Sequence, residues 1–116
     1  MYGRMAITER REGAIPIVAV EGEIDIAVAP ELRSHLDGLL DGGNASLVVD
    51  LTHVSFLDST ALGVLIAVLK RCHASNGELC LVANDPQVLR VFEITGLTDV
   101  FSIASSASRA VELVAS

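Results

Sequence analysis

Asp58-Ser59-Thr60 sets a carboxylate and two hydroxyls in a row between the apolar pair Phe56-Leu57 and the run Ala61-Leu62-Gly63. Two roles fit such a triplet. Asp, Ser and Thr are the preferred helix N-caps, because their oxygens accept bonds from the unpaired N–H groups of a first turn. A hydroxyl at the mouth of a helix can instead stand beside a surface on which a partner docks. Catalysis fits less well. A serine nucleophile needs a base in reach and an oxyanion hole, and the chain has no Gly-x-Ser-x-Gly, no Gly-x-x-x-x-Gly-Lys phosphate loop and no Gly-x-Gly-x-x-Gly fingerprint. Asp50, near the end of a strand, lacks the preceding acidic pair that a phosphoaspartate site uses to hold Mg²⁺. The expectation is a chain that is not an enzyme and needs no cofactor.

The helix after the triplet carries a second signal. Leu62, Leu65, Ile66, Leu69 and Cys72 form an adequate core stripe at helical spacing, while the other side of the first two turns shows Thr60, Gly63, Val64 and Ala67. A solvated face would carry Lys and Glu. Gly63 costs about 1 kcal/mol of helix propensity relative to Ala, so the face is expected to be covered, either by a loop of the chain itself or by a partner docking beside Ser59.

Composition narrows the class. The 116 residues suffice for one compact domain, expected over 1–116, and are too few for two ordinary ones. Half the chain is apolar but only one Tyr and three Phe occur, so the core must be layers of Val, Leu, Ile and Ala. A net charge of −7 repels nucleic acid and anionic membrane surfaces and is compatible with a basic protein partner. No apolar run spans a bilayer, and Met1 to Arg11 does not read as a signal sequence, so a cytoplasmic location is expected. In that reducing setting Cys72 and Cys80 are expected to be free and buried. His35, His53 and His73 fall at no metal-ligand spacing, and no metal site is expected.

The elements that position the triplet follow from periodicity. Met5 to Arg11 and Ala14 to Val20 flank the turn Glu12-Gly13 as an antiparallel hairpin, with Gly22-Glu23-Ile24-Asp25 ending the second strand. Pro30, then Leu32, Leu36, Leu39 and Leu40, mark a helix that stops at Gly42-Gly43. A strand over Ser46 to Leu51 leads through Leu57 to a helix from Thr60 to Ser75, closed by Asn76-Gly77. Glu78 to Ala83 is a strand, Asp85-Pro86 opens a helix with Val88, Leu89 and Phe92 that ends before Gly96, Val100 to Ile103 is a strand, and a last helix starts near Ser106. The order predicts an α/β fold: a mixed sheet of four to five strands, an N-terminal antiparallel hairpin and about four helices mainly on one face.

Four segments together resemble a known family: Gly22-Glu23-Ile24-Asp25, Val48-Val49-Asp50-Leu51, Phe56 through Val64, and Thr95-Gly96-Leu97. They are similar to bacterial anti-sigma factor antagonists, the free-standing STAS domains, and the likeness runs from the hairpin to the last helix. Its most specific part is Asp58-Ser59-Thr60-Ala61-Leu62-Gly63. The resemblance implies the STAS fold. It also implies that Ser59 is phosphorylated by the partner, an anti-sigma factor that is a serine kinase of the histidine-kinase-like ATPase fold, and that a PP2C-type phosphatase resets it. Asp25 matches the family's acidic residue after the second strand, and Asp58 and Thr60 flank the acceptor, with Thr60 its rival. The chain departs from the family at Ala61, where most members have Gly, and at Ala27-Val28-Ala29, where many have a Thr. Within the same fold, the alternative is a STAS scaffold or transport-complex subunit that is never phosphorylated.

Overall fold

The computed structural model describes residues 5–115. It opens with the antiparallel hairpin of β1 (Met5–Glu12) and β2 (Ile15–Ile24), turned at Gly13, whose φ of +61° suits a residue without a side chain. Then follow α1 (Ala29–Asp41), β3 (Leu47–Leu57), α2 (Ser59–Ala74), β4 (Leu79–Val82), α3 (Pro86–Ile94), β5 (Ser102–Ala104) and α4 (Ala107–Ala115). The five strands lie in chain order in one sheet, with β2 to β5 mutually parallel.

The sheet separates two apolar clusters. Val18, Val20, Ile24, Val49, Leu51, Val54 and Leu57 face α1, α2 and α3, with Leu32, Leu36, Leu65, Val68, Val88 and Phe92 from the helices. The opposite face is smaller: Ile17, Val48, Cys80 and Val82 receive Ala110 and Val114 of α4. The fourth helix therefore covers the side of the sheet that the first three leave open. α1 and α2 are also tied at their C-terminal halves, where the Arg71 guanidinium donates to Asp37 at 3.0 Å and to Asp41 at 2.8 Å.

Two boundaries differ from the periodicity reading by more than one residue. β3 runs to Leu57, because β2 stays paired with it as far as Ile24↔Leu57. The register slips between Ala19 and Glu21 and again between Gly22 and Glu23, so β3 holds an extra residue at each place and its inside-outside alternation breaks. Gly22, at φ +99°, lies at the second slip. At the other end β5 begins at Ser102 rather than Val100, since Phe101 turns into the core to pack edge-on against Phe92, ring centroids 5.6 Å apart.

The two free cysteines are buried on opposite faces of the sheet, Cys72 with the α1–α3 cluster and Cys80 with α4. The folded chain cannot join them in a disulfide without breaching the sheet. Burial pushes the Cys72 thiol up to about 11, with the Glu78 charge adding to the effect and Arg71 opposing it. At pH 8 a thiol at that value is only about one-thousandth ionised. A disulfide exchange reagent at pH 8 is therefore expected to label neither cysteine of the native chain within minutes, and both at once in denaturant; rapid native labelling would contradict the packing.

Candidate functional site

β2 and β3 leave the sheet side by side. The last paired residues are Ile24 and Leu57, and the Asp58 N–H donates to the Ile24 carbonyl at 3.2 Å. The next residue of each strand is an aspartate, and each is used by the local backbone. Asp25 Oδ1 accepts from the N–H groups of Ala27 (2.9 Å) and Val28 (3.3 Å), while its carbonyl accepts from Val28 and Ala29, which fixes the turn into α1. Asp58 Oδ1 accepts from Ala61 N–H at 3.0 Å and its carbonyl from Leu62 N–H at 3.1 Å, which makes it the N-cap of α2.

This division of labour decides what Ser59 can do. Three side chains in a row were chemically able to cap the helix, and Asp58 has the position. Ser59 becomes the first residue of the helix, exposed, and no hydrogen bond to its hydroxyl is found among the described residues. The acceptor candidate is therefore accessible, beside the free N–H groups and positive end of a sixteen-residue helix. Thr60, one residue on, is half-buried.

The outward ridge of α2 differs in one residue from the face read off the sequence. Gly63 is exposed and Thr60 and Ala67 are half-buried, but Val64 is only 8% exposed and belongs to the core. The reason is that α2 packs against α1 as well as the sheet, so its buried arc takes in Ala61, Val64 and Val68 beside the expected Leu62, Leu65, Leu69 and Cys72. Ile66, expected inside, is half-buried at the edge of the ridge. Nothing lies within 4 Å of where a Cβ on Gly63 would be, so no element of the described chain covers that point. Ala61 is 0% exposed; its methyl fills the core and leaves the approach to Ser59 clear.

Two apolar residues near this end are exposed, which the sequence did not indicate. Ile26 stands 70% exposed on the turn after Asp25, and Phe56 is half out of the surface beside β3's end. Phe56 lines a groove of about 130 Å³ with Ser55, Leu57, Gln87, Val88 and Val91, none of them titratable. Ile24, Ile26 and Val28 alternate as a strand would, so the pattern groups Ile26 with the buried Ile24 and only the turn held by Asp25 sends it outward, while the irregular register around Ser55 and Phe56 hid their direction.

The STAS domain family matches residues 6–110. The chain belongs to the STAS family. This STAS domain is 39% identical over 97 residues to the anti-sigma-B factor antagonist of Listeria monocytogenes, covering 84% of each chain. It is 36% identical over 86 residues to that of Staphylococcus aureus, covering 74% of this chain and 80% of the relative. Among solved structures, an anti-sigma factor antagonist from Mycobacterium paratuberculosis superposes with a TM-score of 0.88 at 27% identity, over 97% of this chain and 95% of the other. The Bacillus cell fate determinant SpoIIAA in its phosphorylated form, at TM-score 0.71 and 19% identity over 93% of this chain and 98% of that one, shares the fold.

No helix among the described residues is long and apolar enough to cross a membrane.

Proposed function

We propose that this STAS domain is an anti-sigma factor antagonist switched by phosphorylation of Ser59. The unphosphorylated chain binds a kinase-type anti-sigma factor of the histidine-kinase-like ATPase fold and releases the sigma factor; the phosphorylated chain does not bind; a PP2C-type phosphatase restores it. The domain itself does no catalysis and is a phosphoryl acceptor only. The observation that carries this reading is the exposed Ser59 hydroxyl at the head of α2, left free because Asp58 does the capping. The names of the relatives support the antagonist role.

In the transfer, Ser59 Oγ forms a bond to the γ-phosphorus of ATP as the bond from that phosphorus to the β-phosphate oxygen breaks. ADP leaves, and the hydroxyl proton passes to a base on the kinase. The buried methyl of Ala61 offers no obstruction, so the departure from the family's usual Gly favours neither the scaffold reading nor loss of the switch. Incubation with the kinase and Mg-ATP, followed by peptide mapping, is expected to place one phosphate on Ser59. Phosphate on Thr60, or none, would contradict the assignment.

The docking surface is the ridge of Thr60, Gly63 and Ala67 with Asp25 and Asp58 at its head, and Val64 supports it from beneath. Gly63 gives a separate test. Because a methyl there meets nothing, Gly63→Ala should stabilise the free domain by about 1 kcal/mol and raise Tm by about 4 °C. If the partner's backbone approaches that point closely, the same methyl weakens binding. A thermal melt and a titration on one variant read both effects; higher stability with unchanged affinity would remove Gly63 from the interface.

A further inference from the structure

Two isoleucines stand almost wholly in solvent, Ile26 at 70% and Ile94 at 72% exposure. Exposure alone decides nothing, since scattered apolar side chains are ordinary on protein surfaces. Position separates the two. Ile94 is the last residue of α3, which starts at the C-terminal end of the parallel strands, the end at which Ser59 lies, and runs back from it. Ile26 is on the turn beside the phosphoacceptor. From the Asp58 N–H to Ile24 carbonyl bond, chain length alone keeps the Cα atoms of Ile26 and Ser59 within about 18 Å. An interface of about 800 Å² per partner is a disc roughly 32 Å across. A kinase that reaches Ser59 with an interface of ordinary size therefore has room to take in Ile26 beside it.

The turn is also built to present it. The carboxylate and carbonyl of Asp25 together hold the N–H groups of Ala27, Val28 and Ala29, so Ile26 is displayed on a fixed backbone and ordering it on binding costs little. The charges of the surrounding segments have one sign: Glu21, Glu23, Asp25 and Glu31 along residues 21–32, and Asp58 across the strand pair. Arg33, the first cation after the turn, is held by Asp37 at 2.6 Å.

We propose that Ile26 is the apolar anchor of the interface around Ser59, entering an apolar pocket of the anti-sigma kinase that is rimmed by basic side chains. The proposal rests on the reading of this chain as an antagonist and adds to it the chemistry of the partner's surface. An exposed apolar side chain that docking would bury within a ring of polar contacts is where interface energy concentrates, and acidic neighbours select a basic rim.

The test is a titration of the kinase-type anti-sigma factor from the same organism with the wild type, Ile26→Ala and Ile94→Ala, at low and high salt. Ile26→Ala is expected to weaken binding about tenfold or more with Tm within about 2 °C of wild type, because the side chain makes few contacts in the free domain. Ile94→Ala should bind like wild type, and salt should weaken the wild-type complex. Wild-type binding with an unchanged Ile26→Ala, an equal loss in both variants, or no salt effect overturns this inference and leaves the antagonist reading standing. A wild type that does not bind at all overturns both.

Discussion

Gly77→Ala is expected to destabilise the domain by about 3 kcal/mol, lowering Tm by about 12 °C. A Cβ at that position would lie 1.9 Å from the carbonyl oxygen of Ala45, 2.4 Å from its carbonyl carbon and 2.9 Å from its Cβ. Two of the three atoms are backbone, so no rotamer change can relieve the overlap. Nor can the segments part freely. Just beyond the contact the Leu47 N–H donates to the Glu78 carbonyl at 3.0 Å, the Glu78 N–H donates to Ser46 Oγ at 2.9 Å, and Leu47↔Leu79 begins the ladder between β3 and β4. On the other side Gly77 N–H is bonded to the Cys72 carbonyl at 2.7 Å, closing α2 after Asn76 at φ +61°. Making room for one methyl means opening either the helix end or the start of the central strand pair. Thermal and urea melts check this, and a Tm within about 2 °C of wild type would show that the approach is looser than described.

Ser59→Asp should weaken binding to the anti-sigma kinase by about a hundredfold, while Ser59→Ala binds as wild type and cannot be switched. The expected loss comes from the change of medium on docking. A phosphate adds about −1.5 to −2 charges, and the aspartate variant imitates part of that. A like charge about 4 Å away costs roughly 1 kcal/mol in water and roughly 4 kcal/mol where the partner has displaced the water. Asp58 immediately precedes the acceptor and Asp25 is on the adjoining strand end, so the repulsion that the free domain tolerates grows as the site is covered. The difference, about 3 kcal/mol, is about two decades of affinity. Both variants should melt near wild type, since Ser59 makes no side-chain bond among the described residues that the fold could lose. Equal affinity of the two variants would remove the switch.

The hairpin, the four helices and the parallel order were legible because each follows from a period or a punctuation mark. Pro30 and Pro86 stand in the first turns of α1 and α3, and Asp85 caps the latter through Gln87 N–H at 2.8 Å. Legibility failed where one residue broke a period. Two register slips concealed the second half of β3, and Phe101 is apolar because it packs on Phe92 rather than because it belongs to a strand. The direction of Val64 depended on a second packing partner, α1, which one helix's own pattern cannot reveal. At the site, Asp, Ser and Thr can all cap a helix, so the triplet fixed where α2 begins without fixing which oxygen is spent. Coordinates supplied that: Asp58 is occupied and Ser59 is open. Ile26 was hidden because it continues the alternation of the strand before it, Ile24 to Ile26 to Val28, and only the Asp25 turn takes it out of the core.

The central claim is that a phosphate on Ser59 changes who can dock while the domain beneath stays the same. The direct measurement is calorimetric titration of the kinase-type anti-sigma factor with the purified chain, first unmodified and then quantitatively phosphorylated at Ser59, with a melt of each form. The unmodified chain is expected to bind tightly, phosphorylation to cost about two decades of affinity or more, and the two forms to melt at nearly equal temperatures. Undiminished affinity of the phosphorylated chain, or a phosphorylated chain that has lost its folded transition, would contradict the claim.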